Sequence, residues 1–183
     1  MGYISSHRLK TENILFPLEM ADEPQSVQKA GNENNGVLKF YPKEMTIIWV
    51  NDKRYWKAPV DDEAPAELVQ VCWLEVRTFT PNLPEGTYQI SFKLSLKQGA
   101  FGWTGCPVFL MAKVGNKGRY KWDKLDLLKL GLEQQQTVPA DFQIEVTGAH
   151  SSDPRIYFGL YEVWSGRWKG GLIIHEAQVK KVR

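Results

Sequence analysis

The sequence predicts an antiparallel all-β domain, a sandwich or a barrel. Three observations carry that reading. Apolar residues recur with a period of two over most of the chain beyond Val37. Gly, Asn and Ser clusters divide the chain into short apolar runs. Helical periodicity is confined to short stretches. The clearest strand carries Tyr88, Ile90, Phe92, Leu94 and Leu96, alternating strictly with Gln89, Ser91, Lys93 and Ser95, the pattern of a sheet with one face on the core. Leu68, Cys72, Leu74 and Val76 repeat it, as do Phe142, Ile144 and Val146. Residues 108–114 give another strand, and Gly115-Asn116-Lys117-Gly118 reads as a hairpin turn after it. The runs 155–164 and 172–182, separated by Ser165-Gly166 and Gly170-Gly171, predict a hairpin. A short helix is expected over 123–132, and one helical turn over 64–69.

At 183 residues the chain suits one domain, and about 70% of the surface of such a chain is buried on folding, enough for a core without disulfides or metal. Residues 1–35 are polar, contain Pro17 and Pro24, and end in a Gly/Asn-rich stretch, which predicts a flexible N-terminal arm ahead of a domain over 36–183. The net charge is +2, from 23 basic and 21 acidic residues, which is no footprint for nucleic acid or an anionic membrane. No apolar run approaches the roughly 20 residues of a membrane span. No secretory signal is readable in residues 1–10, there are only two cysteines, and no glycosylation sequon occurs. These features predict a cytoplasmic or nuclear protein. The basic ending Lys180-Lys181-Val182-Arg183 reads as the solvated end of a strand rather than a nuclear address.

Catalytic signatures are missing from the sequence. It holds no phosphate-binding glycine motif and no nucleophile elbow. His7, His150 and His175 stand apart from one another and from the cysteines, without metal-ligand spacing, so neither a metal nor another cofactor is expected. Cys72 lies in an apolar stripe and reads as a buried thiol. Abundant carboxylates alone do not make the closely flanking pair that glycoside hydrolysis requires.

The compositional excess is aromatic, with seven tryptophans. The informative stretch runs from Ile47 to Trp56. If Asn51-Asp52 is a two-residue hairpin loop, Trp49 and Trp56 share a face as diagonal neighbours about 7–8 Å apart. A loop of odd length would put them on opposite faces. Indoles are usually mostly buried. Two open indoles would instead form a stacking platform, because the face of an indole is negative and the axial C–H bonds of a pyranose are positive. Asp52, Lys53, Arg54 and Tyr55 lie between them as hydrogen-bonding and aromatic neighbours. Trp73, Trp103, Trp122, Trp164 and Trp168 read as structural.

Three blocks resemble one family. Ile48-Trp49 followed by Tyr55-Trp56, then Val71-Cys72-Trp73-Leu74-Glu75-Val76-Arg77, then Tyr161-Glu162-Val163 with Gly166-Arg167-Trp168-Lys169-Gly170-Gly171-Leu172-Ile173, resemble the phloem-protein-two plant lectins of the Nictaba type, in the family's order. The resemblance implies a β-sandwich of jelly-roll type and non-catalytic binding of N-acetylglucosamine oligomers (chitin fragments) or N-glycan cores. It implies roles in defence and stress, in cytoplasm, nucleus or phloem sap. The family's sugar-stacking tryptophans fall on Trp49 and Trp56, and its binding glutamate falls on Glu162. The chain departs from the family pattern at Val50-Asn51-Asp52-Lys53-Arg54, at Ala58 and at Arg155.

The candidate carbohydrate-binding residues are therefore Trp49, Trp56, Glu162, Asp52 and Tyr55. A shallow sugar site is weak by itself, and linking two sites raises avidity, which points to a homodimer. The expected partners are N-acetylglucosamine oligosaccharides or glycoproteins. Nucleic acid and membrane insertion are not expected. The alternative is a protein-interaction domain of the same fold with a degenerate sugar site.

Overall fold

The computed structural model describes Asn32–Asn34 and residues 36–183. The arm expected over 1–35 lies outside the described residues, apart from those three, which form a strand. The strands are β1 (Asn32–Asn34), β2 (Val37–Phe40), β3 (Thr46–Ile47), β4 (Trp56–Lys57), β5 (Ala66–Leu68), β6 (Leu74–Phe79), β7 (Gly86–Phe101), β8 (Val108–Val114), β9 (Lys121–Leu125), β10 (Gln136–Val138), β11 (Gln143–Val146), β12 (Ile156–Glu162) and β13 (Gly170–Lys181). All pairings between these strands are antiparallel.

They form two sheets. In the first, β13 is the spine: β7 pairs along one edge, β2 and β5 along the other, with β1 beside β2 and β4 beside β5. β10 and β11 pair with the far edge of β7. The second sheet has the order β3-β6-β12-β8-β9. From β5 onward the chain moves between the sheets to give β5-β13-β7-β11 opposite β6-β12-β8-β9, the connectivity of a jelly roll. The expected fold class is therefore the observed one.

The period-two pattern explains the core. Tyr88, Ile90, Phe92, Leu94 and Leu96 of β7 all point inward, as do Leu74 and Val76 of β6 and Phe158 and Leu160 of β12. Phe158 from the second sheet meets Phe40 and Phe92 from the first, edge to face, with ring centroids 5.6 and 6.0 Å apart.

Four local expectations are corrected. Runs 155–164 and 172–182 are not a hairpin: β12 pairs with β6 and β8, and β13 lies in the other sheet. A glycine-rich connection serves a sheet-to-sheet crossing as readily as a hairpin. The helix expected over 123–132 is strand β9 followed by a 3-10 turn, Leu127–Lys129. Pairing with β8 through the Gly115–Gly118 turn overrides the weak local preference. The turn expected over 64–69 is strand β5, held between β13 and β4. The fourth is the segment 47–56, described below.

Truncating Phe158, which bridges both sheets, removes contacts from two partners at once. Phe158→Ala is expected to lower unfolding stability by about 3–5 kcal/mol in urea titration, with little change in the urea slope.

Candidate functional site

Residues 48–55 carry the chain from one sheet to the other at one end of the sandwich. Thr46–Ile47 pairs with β6 in the second sheet, whereas Trp56–Lys57 pairs with β5 in the first. The crossing is built from consecutive turns. The Val50 amide donates to the Ile47 carbonyl (3.3 Å), Asp52 to Trp49 (3.0 Å), and Tyr55 and Trp56 to Asp52 (2.9 and 3.0 Å). The Asp52 carboxylate accepts from the Arg54 amide at 3.0 Å and pairs with the Arg54 guanidinium at 2.7 Å. Hydrogen bonding from the Arg54 side chain and amide holds the Asp52 carboxyl below its ordinary range.

The expected two-residue hairpin over Asn51-Asp52 is therefore absent, and so is the open pair of indoles. Trp56 is 1% exposed, packed in the core as the inward residue of β4, with its Nε1–H donating to the Ile48 carbonyl at 3.1 Å. Trp49 is 46% exposed. The two rings part because Trp49 lies in the turns of the crossing segment, whereas Trp56 begins β4 in the first sheet. Trp49 itself sits at φ 63°, the left-handed region that a bulky residue enters at a cost of about 1–3 kcal/mol.

Trp49 gains a different neighbour. Its ring centroid lies 5.4 Å from that of Tyr55, and Tyr55 lies 6.4 Å from Trp168 with the planes 25° apart. The Arg54 guanidinium carbon stands 5.3 Å from the Tyr55 centroid. Ile47, Trp49, Val50, Asn51, Asp52 and Lys53 line a shallow groove beside this row. Of the five residues expected at the site, Trp49, Asp52 and Tyr55 are together at its surface, and Trp56 lies beneath them.

Glu162 lies in the interior as well. It is 3% exposed, the last inward residue of β12 after Ile156, Phe158 and Leu160. Its carboxylate is fully engaged: one oxygen accepts from the Ser165 amide (3.0 Å), the other from the Ser165 hydroxyl (2.9 Å) and from the ammonium of Lys169. Lys169 is wholly buried and donates further to the Cys72 carbonyl at 3.0 Å. Its backbone exchanges two hydrogen bonds with Val71, both 2.9 Å. This cluster fixes the loop 163–169 that presents Trp168 beside Tyr55.

Trp168, which the sequence reading takes as structural, is half exposed. The signal was present: an indole between Arg167 and Lys169, flanked by Gly166 and Gly170, has no apolar neighbour that would draw it into a core. Cys72 and Cys106 are both free thiols, Cys72 half-buried and Cys106 buried. Among the described residues no group of His, Cys, Asp and Glu is arranged to hold a metal, and no helix is long and apolar enough to cross a membrane.

The geometry thus defines a jelly-roll domain with an aromatic, hydrogen-bonding groove where the chain crosses between sheets. The chain belongs to the Phloem protein 2 family, whose model matches residues 37–181. It is 40% identical over 153 residues to Protein PHLOEM PROTEIN 2-LIKE A9 of Arabidopsis thaliana, covering 77% of this chain and 85% of that protein. It is 30% identical to a lectin of Luffa acutangula over 83 residues, 39% of this chain and 38% of the lectin. Among solved structures, the xylan-binding module CBM15 aligns with 76% of this chain and 97% of its own, at 8% identity and a TM-score of 0.42, too distant to carry a functional argument.

Burial alone would raise the Glu162 carboxyl, but hydrogen bonds from Lys169 and Ser165 outweigh it and hold the group below its ordinary range. Glu67, hydrogen-bonded by Lys97 and Lys57, is lowered as well. A carboxyl lowered in the folded state stabilises the fold above its unfolded pKa and loses that contribution as pH falls through the folded value. Unfolding free energy is therefore expected to drop as the medium is acidified below about pH 4.5, and, because burial also lowers the folded-state pKa of His175, to begin falling more gently below about pH 6.5, measured by urea titration at each pH. Glu162→Gln leaves Lys169 buried without its counter-charge, and a loss of about 3–5 kcal/mol at pH 7 is expected in the same assay.

Proposed function

We propose that this protein is a non-catalytic lectin, which binds N-acetylglucosamine oligomers or N-glycan cores at the groove of Trp49, Asp52 and Tyr55. The observation that carries this reading is Trp49, a half-exposed indole held in a left-handed backbone conformation against Tyr55. Strained conformations of this kind persist where the surroundings impose them and concentrate at ligand-contacting positions. Membership of the Phloem protein 2 family supports the reading, as does similarity to a protein named as a lectin.

In this mechanism a sugar ring lies flat on the Trp49 indole, its axial C–H bonds against the negative ring face. Its hydroxyls donate to the Asp52 carboxylate and accept from the exposed Arg54 and Asn51 side chains. Trp56 does not touch the sugar; it anchors the crossing segment from below through the Ile48 carbonyl. Glu162 acts through Ser165 and Lys169 as a positioning residue. The sugars come as free oligosaccharides or on glycoproteins, and pairing of two copies would multiply a weak single-site affinity. The setting is the cytoplasm, nucleus or phloem sap, in defence or stress responses.

A second reading, a protein-interaction domain with a degenerate sugar site, is favoured by one observation: two of the residues expected to contact sugar, Trp56 and Glu162, are buried. Titration calorimetry with chitotriose separates the two readings. The wild type is expected to bind, and Trp49→Ala to weaken binding by about tenfold or more, the worth of one stacked ring. Its melting temperature should stay within a few degrees. No heat from the wild type, or unchanged affinity in Trp49→Ala, refutes the lectin reading at this groove.

A further inference from the structure

We propose that the outer face of the β8–β9 hairpin is a docking surface for an acidic, extended peptide segment of a partner protein. Residues 113–124 carry Lys113, Lys117, Arg119, Lys121 and Lys124 against Asp123 alone, a net charge of +4. The whole chain is +2, so all the other residues together are −2. The positive charge is thus concentrated on one hairpin. Lys39, Lys43, Lys57 and Lys97 each pair with a carboxylate, whereas Lys117, Arg119 and Lys124 of the hairpin are exposed and form no ion pair among the described residues. The hairpin's one acid does not match them either, since the Asp123 carboxylate accepts from the Lys124 backbone amide at 2.8 Å. Uncompensated charge of one sign on one surface steers and selects a partner of the opposite sign.

An aromatic element lies within this charge. Leu110 and Ala112 of β8 enter the core, so Phe109 and Met111, with their partners Lys124 and Trp122 on β9, take the outer face. Phe109 meets Trp122 and Trp164 edge to face, with centroids 5.7 and 5.1 Å away. Trp122, which the sequence reading takes as structural, is 44% exposed. The Lys124 ammonium stands over both rings, 5.7 Å from the Phe109 centroid and 6.0 Å from that of Trp122. A flat ring stacking on Trp122 would have to displace that ammonium, which disfavours a sugar or a nucleobase here. A carboxylate meets the ammonium where it stands, and an apolar side chain beside it covers the open part of the indole. β9 is the last strand of its sheet, and its five residues run about 17 Å, the span of a short extended peptide. The surface is separate from the Trp49 groove: β3, which leads into that groove, is the other edge strand, four strand spacings or about 19 Å away.

Fluorescence anisotropy on the full chain tests this, with a labelled short peptide in which Glu and Asp flank a central Phe. The peptide is expected to bind, to weaken by about tenfold or more when its acids are replaced by Gln and Asn, and to weaken steeply as salt rises. Combining Lys117→Glu, Arg119→Glu and Lys124→Glu should abolish binding. Trp122→Ala should weaken it by about tenfold, and Trp122→Phe should restore part of the loss. Lys180→Glu, which reverses an exposed cation of the other sheet, should leave affinity within about twofold. Melting temperatures within a few degrees of the wild type show that the variants are folded, and the comparison of acidic with neutral peptide needs no variant at all. Equal binding of the neutral peptide, or unchanged binding in the charge-reversed or Trp122→Ala protein, overturns the proposal. So does tighter, competing binding of a single-stranded oligouridine or of phosphatidylglycerol vesicles, which would make the hairpin a surface for phosphate-bearing partners.

Discussion

A buried ion pair holds one end of this protein together. Glu162 is the last inward residue of one sheet, and Lys169 immediately precedes the spine strand of the other. Neither charge is tolerable in the interior alone, because the cost of removing an ion from water is several kcal/mol. Each therefore fixes the other, and the remaining lone pairs and protons are satisfied by Ser165 and the Cys72 carbonyl. The pair joins the sheets across the loop 163–169 and sets where Trp168 stands.

The groove itself is set by topology. The chain crosses from β3 in one sheet to β4 in the other within eight residues. It does so by turns that close on the Ile47, Trp49 and Asp52 carbonyls, with Trp49 in a left-handed conformation. The crossing needs an anchor, and the buried Trp56 indole supplies it, donating a hydrogen bond back across the segment to Ile48. Burial of one tryptophan and exposure of the other are therefore linked consequences of one backbone path. Asp52 and Arg54 pair with each other at the surface, so the rim is polar.

Tyr55 touches both Trp49 and Trp168. Its half-buried position ties the crossing segment to the 163–169 loop without any strand pairing between them. Elements from both sheets thereby contribute to one surface patch. Binding surfaces built on loops carried by a stiff sandwich combine variable chemistry with fixed geometry.

Much of the fold was legible in the sequence, because a strict period of two admits few alternatives once one sheet face is buried. The alternation from Tyr88 to Leu96, the run 108–114 and the turn Gly115–Gly118 each correspond to an observed strand or reversal. The family blocks likewise pointed to the segment that carries Trp49, Asp52 and Tyr55. What the sequence could not decide was which sheet each strand enters. The turn signals around Asn51-Asp52 and Ser165-Gly166 look alike whether the chain folds back in one sheet or crosses to the other. That choice is made by the total packing of two sheets around one core, a non-local sum that no ten-residue window contains. It buried Trp56 and Glu162, left Trp49 open, and brought Trp168 beside Tyr55 from 113 residues away in the chain.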